Sequence, residues 1–271
     1  MFDDRFFDSI GFKTSGFDEL RPYLDMAFEK GVRPISPNGY YAYWPLGNGC
    51  EVWVTLDKQR NVISYAPHFV GSSRVNMKLT HLFDIEEHLA GALQGELIPE
   101  TEDGVRFPFV FYVPSWDFVK TDLDLQSAKA TGPLNFTVQL AAFATEIKCY
   151  DTEQEALDAQ TIKYKWAPQF FIPVGLFRPE TEMPSLQVSL GGTVLSGRTL
   201  TNPITNQRTI YMRVQTLDMI VDVVSDPMLI KGRPKIGGII SGSFWLSGRP
   251  ATDIKRMHEF RNHYLTSNNI K

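Results

Sequence analysis

The chain has 271 residues, enough for one large or two ordinary domains, and its 43% hydrophobic and 21% charged residues are typical of a globular protein. It contains no apolar run long enough to span a membrane, and its acidic opening, MFDDR, is unlike a signal peptide. We therefore expect a cytoplasmic protein with no membrane partner. The two cysteines, Cys50 and Cys149, lie in strand-like segments without CxxC spacing, which indicates buried thiols, although a single bridge stays open.

The N-terminal part of the chain is predicted to combine helices with an antiparallel sheet. Apolar residues at helical spacing after Ser15 predict a helix that ends at Gly31. Strands are predicted at 39–44, 50–56, 62–65 and 107–113. Asp84 and Glu87 form a capping-box pattern that predicts a further helix over 85–93.

The middle of the chain has weaker patterns. Residues 115–133 carry charge, Ser, Gly and Pro, which predicts a surface loop or linker. Residues 136–144 read as a strand, although their alanines also suit a helix. Thr152 and Glu155 form another capping box that predicts a short helix ending near residue 160, and 166–177 reads as an extended apolar connection.

Residues 186–248 carry the clearest pattern, which predicts four successive strands: apolar and polar side chains alternate in three of them, and the third strand, 219–224, is apolar almost throughout, as in a central strand buried on both sides. Glycine pairs within the first and last strands are typical of the bends that close a small barrel. In outline this stretch of about sixty residues resembles the five-stranded OB-type barrel, without the usual helix between the third and fourth strands. A helix over 253–265 is expected to close the chain.

Together these patterns predict an α+β, β-rich fold in three parts. Residues 1–114 are expected to form a helix-plus-antiparallel-sheet domain, and 115–183 a linker with a connecting strand and helix. Residues 184–271 are expected to form a small OB-like curled barrel with a C-terminal helix.

Two groups of residues are candidates for a metal site or a catalytic site. His81, His88, Asp84 and Glu87 lie close together in sequence, but the carboxylates are already explained as a helix cap and HExxH is absent, so neither a metal nor another cofactor is predicted. His68 is a weak candidate for a general base working with Glu51 or Asp57, as in a hydrolase with a site between the two halves. A histidine between apolar residues is also typical of a structural side chain.

A surface for single-stranded nucleic acid is the alternative binding hypothesis. Bases stack on aromatic rings while cations neutralise phosphates, so an aromatic platform within a basic rim suits such a ligand. The strand pattern predicts that Tyr211, Arg213 and Trp245 face outward. The surrounding cations are Arg208, Lys231, Arg233, Lys235 and Arg249.

Charge is distributed unevenly along the chain, whose net charge is −4. Residues 184–271 contain 11 Lys and Arg against 5 Asp and Glu, whereas residues 1–183 contain 16 against 26. The two parts are therefore expected to attract one another, or the basic part binds an anionic partner. Because no catalytic motif is present, the leading hypothesis is a non-enzymatic protein-binding or assembly protein that binds another protein or a copy of itself.

Overall fold

The computed structural model describes residues 4–85, 89–161, 165–175 and 185–267, and over 261–267 it describes the backbone alone. The fold is mixed α+β, with 47% of residues in strands and 21% in helices, which confirms the predicted fold class. Within these residues the helices are α1 (Phe17–Lys30), α2 (Trp116–Ser127), α3 (Glu153–Asp158) and α4 (Ala251–Ser267). The strands are β1 (Tyr40–Pro45), β2 (Cys50–Leu56), β3 (Val62–Phe69), β4 (Val75–Ile85), β5 (Ala90–Leu97), β6 (Pro108–Val113), β7 (Asn135–Tyr150), β8 (Phe170–Pro173), β9 (Gln187–Thr201), β10 (Arg208–Thr216), β11 (Met219–Ser225), β12 (Ile230–Lys231) and β13 (Ile239–Pro250). Short 3-10 helices cover Asp4–Ile10 and Pro227–Leu229.

The N-terminal layer consists of the 3-10 helix Asp4–Ile10, α1 and the antiparallel sheet β1-β2-β3. Helix α1 packs on β1 and β2 through Leu20, Leu24 and Ala27, which recur at helical spacing. It ends at Gly31, whose backbone N–H bonds to the Ala27 carbonyl. This helix and the three strands were predicted from their periodicity.

Two predicted segments have a different structure. Residues 115–133 were expected to be a loop, but 116–127 form α2, because Trp116, Val119 and Leu123 share one buried face. The predicted helix over 85–93 is wrong: β4 and β5 occupy 75–85 and 90–97. The carboxylate of Asp84 does not cap a helix but accepts hydrogen bonds from Trp116 Nε1 (2.9 Å) and Lys120 Nζ.

The large sheet closes into two rings that share the antiparallel pair β7–β13. Ring one runs β4-β5-β6-β13-β7, and ring two runs β9-β10-β11-β7-β13. In each ring a three-stranded meander pairs antiparallel with one shared strand and parallel with the other. The same connectivity therefore occurs twice, with β7 and β13 exchanging roles.

Ring two has the strand pairing expected of an OB-type barrel, but its fifth strand comes from an unexpected place. That strand is β7, which precedes the other four in the chain. As anticipated, no α-helix separates β11 from β13 among the described residues, since only the 3-10 turn Pro227–Leu229 and β12 lie there. In ring one α2 occupies this position, between β6 and β7.

Strands from all three predicted segments belong to the large sheet, so the boundaries at 114 and 183 do not separate its strands. One continuous core fills the ring interiors, where alternate residues of the shared strands point inward, such as Leu140, Phe244 and Leu246. The outward residues Tyr112, Ser247 and Arg249 contact the face of the three-stranded sheet that carries Ser64, His68 and Glu51. The N-terminal layer therefore covers the outer face of part of the β7–β13 pair.

Candidate functional site

Trp245 points away from the ring interior, as its strand position predicts, but it is not exposed. The indole is 4% accessible because Phe6 of the N-terminal layer stacks on it, with ring centroids 4.9 Å apart and planes inclined by 14°. Tyr112 and Phe143 pack beside it. The prediction that Trp245 forms part of an open aromatic platform is therefore wrong.

Tyr211 is covered in the same way and is 7% accessible. Phe69 packs on its ring at 4.7 Å, and its hydroxyl donates to Asp222 Oδ1 over 2.8 Å. Burial, together with the neighbouring carboxylate, raises the pKa of Tyr211 to about 12. With Phe69 and the Arg198 guanidinium packed on its ring, Tyr211 does not offer an open ring face to a base.

Arg249 was expected in an exposed basic rim, but it is fully buried between the two sheets. Its Nη1 lies 3.0 Å from Glu51 Oε2 and its Nε lies 2.8 Å from Asp253 Oδ2, while its guanidinium stacks over Trp53 at 4.8 Å. Burial lowers the pKa of Arg249, but the two carboxylates more than offset this effect and the net shift is upward. Arg249 therefore has a structural role within the protein.

His68, the candidate general base, is also fully buried. Its Nδ1 lies 2.8 Å from the hydroxyl of Ser247, and burial, followed by the charge of Arg249, holds its pKa well below the ordinary value. The two expected carboxylate partners are engaged elsewhere. Glu51 accepts from Tyr43, Trp53 and Arg249, and Asp57 binds the backbone and amide of Asn61.

Ion pairs between the two parts of the chain neutralise part of the opposite excess charge that each part carries. Four cations of the C-terminal part bind acids of residues 1–183: Lys231 with Glu146, Lys235 with Asp151, Arg249 with Glu51 and Arg256 with Asp122. This pairing favours the interpretation that the two parts attract one another. Four arginines of β9, β10 and the loop before β13 have no ion pair with any described residue: Arg198, Arg208, Arg213 and Arg233.

We call these four residues, which are distributed over both sides of the β9–β10 pair and the loop before β13, the arginine face. Arg198 lies directly opposite Tyr211 in the β9–β10 pairing, and its guanidinium is 5.4 Å from the tyrosine ring. Two clefts meet at Arg198 and Gly197, each with a volume of about 380 Å³. The first cleft is lined by Arg198, Arg233, Lys235 and apolar side chains, and the second by Arg198, Arg213, Ser72 and the edge of Tyr211.

Arg213 and Arg208 project from opposite sides of β10: Arg213 lies with Tyr211 at the second cleft, and Arg208 is on the side of Ile210, which lines the first cleft. The Nε of Arg213 is buried and has no hydrogen-bond partner among the described residues. Arg208 is exposed and lies two positions before Ile210, so both side chains project on the same side of the strand. The arrangement suits an anion, because guanidinium groups bind carboxylate or phosphate oxygens in pairs.

The structure thus brings together only part of the predicted binding set. Arg213, Arg233 and Lys235 line the two clefts, whereas Arg208 lines neither and is exposed at the start of β10, and Lys231 pairs with Glu146. Arg198 was missed by the sequence analysis. The register across the 202–207 turn was the available signal, since pairing Thr201 with Arg208 places Arg198 opposite Tyr211.

The described residues contain no group of three or more His, Cys, Asp or Glu side chains arranged to hold a metal ion. Of the metal candidates considered from the sequence, Glu87 and His88 lie outside the described residues. No helix within the described ranges is both long and apolar enough to cross a membrane. Comparison with protein-family models, curated proteins and solved structures gave no match to this chain.

Proposed function

We propose that this chain is a non-enzymatic protein-binding module whose arginine face docks an acidic segment of a partner protein. The observation that carries the proposal is that four arginines form no ion pair with a described residue, and that three of them, Arg198, Arg213 and Arg233, line two clefts of ring two. The predicted cytoplasmic location stays a prediction.

The lining of the first cleft supports a peptide rather than a sugar-phosphate strand. Val194, Ile210 and Met212 form its apolar part, and Ile236, which is 76% exposed, stands at its edge. An acidic segment with one apolar side chain would pair its carboxylates with the arginines and bury that side chain in the cleft. Single-stranded nucleic acid also binds cations, but it needs open aromatic rings for stacking, and Tyr211 and Trp245 are covered.

The hydrolase alternative receives less support. His68 is 0% accessible, its Nδ1 faces Ser247, and both carboxylates predicted as its partners bind other groups. A general base must lie within hydrogen-bond reach of its substrate, and no described cleft is lined by His68.

Fluorescence anisotropy tests the proposal, with a short labelled peptide of Asp, Glu and Leu as the probe. We expect saturable binding that weakens with salt, because surface charges are screened beyond about 8 Å at physiological ionic strength. Arg198→Glu and Arg233→Glu should each weaken binding roughly tenfold, or about 1.4 kcal/mol. Lys129→Glu makes the same change in charge at an exposed position after α2 and should leave binding unchanged.

Three other outcomes would contradict the proposal. Equal weakening by Lys129→Glu would mean that net charge, not the arginine face, attracts the peptide. Tighter binding of a labelled oligothymidine than of the peptide would favour the nucleic-acid alternative. Concentration-dependent dimerisation that Arg198→Glu abolishes, without peptide binding, would make a second copy of this chain the partner.

A further inference from the structure

A second surface of ring two is a groove centred on Trp166, and none of the four residues of the arginine face lines it. Two clefts with volumes of about 290 and 440 Å³ share Lys148, Trp166, Phe170 and Ser241, and so form one continuous groove. Its floor consists of the ends of β7 and β13, and β8 and β9 border it. Here the β7–β13 pair lies beyond the part that contacts the N-terminal layer.

Trp166 is exposed in a way that the other tryptophans are not. It is 53% accessible, whereas the other four are between 0% and 7% accessible: Trp44, Trp53, Trp116 and Trp245. Its ring packs against Phe170 with centroids 6.3 Å apart. Since exposing so much apolar surface is unfavourable, a fixed and exposed indole is typical of a binding surface.

The backbone around Trp166 is held in place by one side chain. Gln160 accepts a hydrogen bond from the Trp166 N–H over 2.7 Å and donates one to the Trp166 carbonyl over 3.0 Å. Gln160 follows α3, which Thr152 caps through a hydrogen bond from the Glu155 N–H. The indole is therefore positioned at the side of the groove before any ligand arrives.

Hydroxyl groups line the floor below the indole. Ser189 and Ser243 are directly opposed in the β9–β13 pairing, and Ser241 lies two positions away on the same side of β13. None of the three hydroxyls has a hydrogen bond to another described residue. Gly242 between them admits no side chain, because a Cβ there would overlap the Glu146 carbonyl.

The charges in the groove nearly balance. Lys231 bonds to Glu146 over 2.9 Å, and this contact, with a smaller contribution from Lys148, lowers the pKa of Glu146. Lys235 and Lys165 are likewise paired, with Asp151 and Asp158. A phosphate chain needs several unpaired cations along its path, so this groove suits an uncharged ligand.

We propose that the Trp166 groove binds a neutral oligosaccharide. The apolar face of a sugar ring stacks on the indole, and its hydroxyls bond to Ser189, Ser241 and Ser243. Lys148 and Glu146 supply a charged donor and a charged acceptor at the groove. This site is separate from the arginine face, so either proposal can fail without the other.

The burial of the other tryptophans makes fluorescence a direct test. Iodide quenches exposed indoles, so in the folded protein it reports on Trp166. A panel of immobilised neutral glycans would identify a ligand, and the soluble form would then be titrated. We expect a saturable change in emission and protection from iodide.

Variants separate a binding role from a structural one. Binding, measured by calorimetry, should fall at least tenfold in Trp166→Ala and about tenfold in Ser241→Ala, which removes only the hydroxyl. Phe260→Ala removes another exposed ring, which is 41% accessible on α4, and should bind as the wild type does. Circular dichroism checks that each variant is folded.

The proposal is overturned if no neutral glycan of the panel binds, or if Trp166→Ala binds as well as the wild type. It is also overturned if oligothymidine, but no sugar, protects Trp166 from iodide, since the groove would then be a nucleic-acid site. Arg233→Glu should have no effect on sugar binding, and a loss there would contradict the separation of the two surfaces.

Discussion

Replacing Arg249 by methionine removes the charge that joins the three-stranded sheet to the large sheet. The guanidinium is fully buried and bonds to Glu51 Oε2 (3.0 Å) and Asp253 Oδ2 (2.8 Å). Methionine fills a similar volume, but it leaves both carboxylates buried without their cation. Breaking a buried ion pair in this way costs about 3–5 kcal/mol.

For a chain of this size, each kcal/mol lowers the Tm by about 2 °C, so the expected fall is roughly 6–10 °C. Burial raises the pKa of Glu51, and Arg249, Trp53 and Tyr43 oppose that rise. Without Arg249 the pKa of Glu51 in the folded protein moves further above its unfolded value. The folded variant then binds more protons than the unfolded chain, so its stability falls as the pH rises above about 4.3.

Urea unfolding followed by circular dichroism at pH 5 and pH 7 measures both effects. The stability gap between Arg249→Met and the wild type should be smaller at pH 5. Arg256→Met is the matched control, because Arg256 pairs with Asp122 at a half-exposed site and such pairs contribute up to about 1 kcal/mol. The reasoning is refuted if Arg249→Met costs no more than Arg256→Met.

Three further predictions concern the same packing. The wild type should lose up to about 1.4 kcal/mol of stability per pH unit below pH 6.5, because the depressed pKa of buried His68 keeps the folded state neutral while the unfolded state takes up a proton. His68→Gln should remove this pH dependence of stability, whereas the exposed variant His81→Gln should keep it. Unfolding curves across that pH range measure the difference. Gly71→Ala should destabilise the protein by about 1–3 kcal/mol, since the added Cβ would overlap the Asp222 carboxylate. Gly132 has open space around it, so Gly132→Ala should change stability by less than about 1 kcal/mol. Thermal melts of the two variants measure the difference. Trp245→Ala should lower the free energy of unfolding in urea by about 3–5 kcal/mol, because the packing with Phe6 is lost, and should leave acidic-peptide binding intact. Reduced peptide binding by the folded variant would show instead that Trp245 belongs to the binding surface.

Local patterns were sufficient to predict most strands of ring two. Alternation at period two identified β10 and assigned Met212 and Val214 to the interior, and a nearly continuous apolar run identified β11. The same patterns failed for α2, whose buried residues are separated by charged and polar ones, and for β4 and β5. The apparent capping box at Asp84 and Glu87 suggested a helix where β5 begins. In β5 Gly91 leaves room for Trp116, because a Cβ there would overlap the indole.

Ring closure was not visible in the sequence. Ring two closes through pairing between 138–150 and 239–250, segments about a hundred residues apart, and such long-range register leaves no local signature. For the candidate site, the outward orientation of Trp245 was right and its exposure was wrong. A strand pattern distinguishes the two faces of a sheet, but it does not reveal that another layer covers one of them.

The position of the N-terminal layer explains why both proposed binding surfaces lie on ring two. This layer packs over the outer face of the shared strands near Phe143, Trp245 and Ser247, where aromatic stacking and the His68 contact hold it. The covered stretch ends before the outer positions 146–150 of β7 and 239–243 of β13, which form the floor of the Trp166 groove. The arginine face lies on β9, β10 and the loop before β13, beyond the edge of the same layer, where Phe69 meets Tyr211. In ring one, α2 covers the core through Trp116 and Val119, so that side of the ring is closed to a ligand.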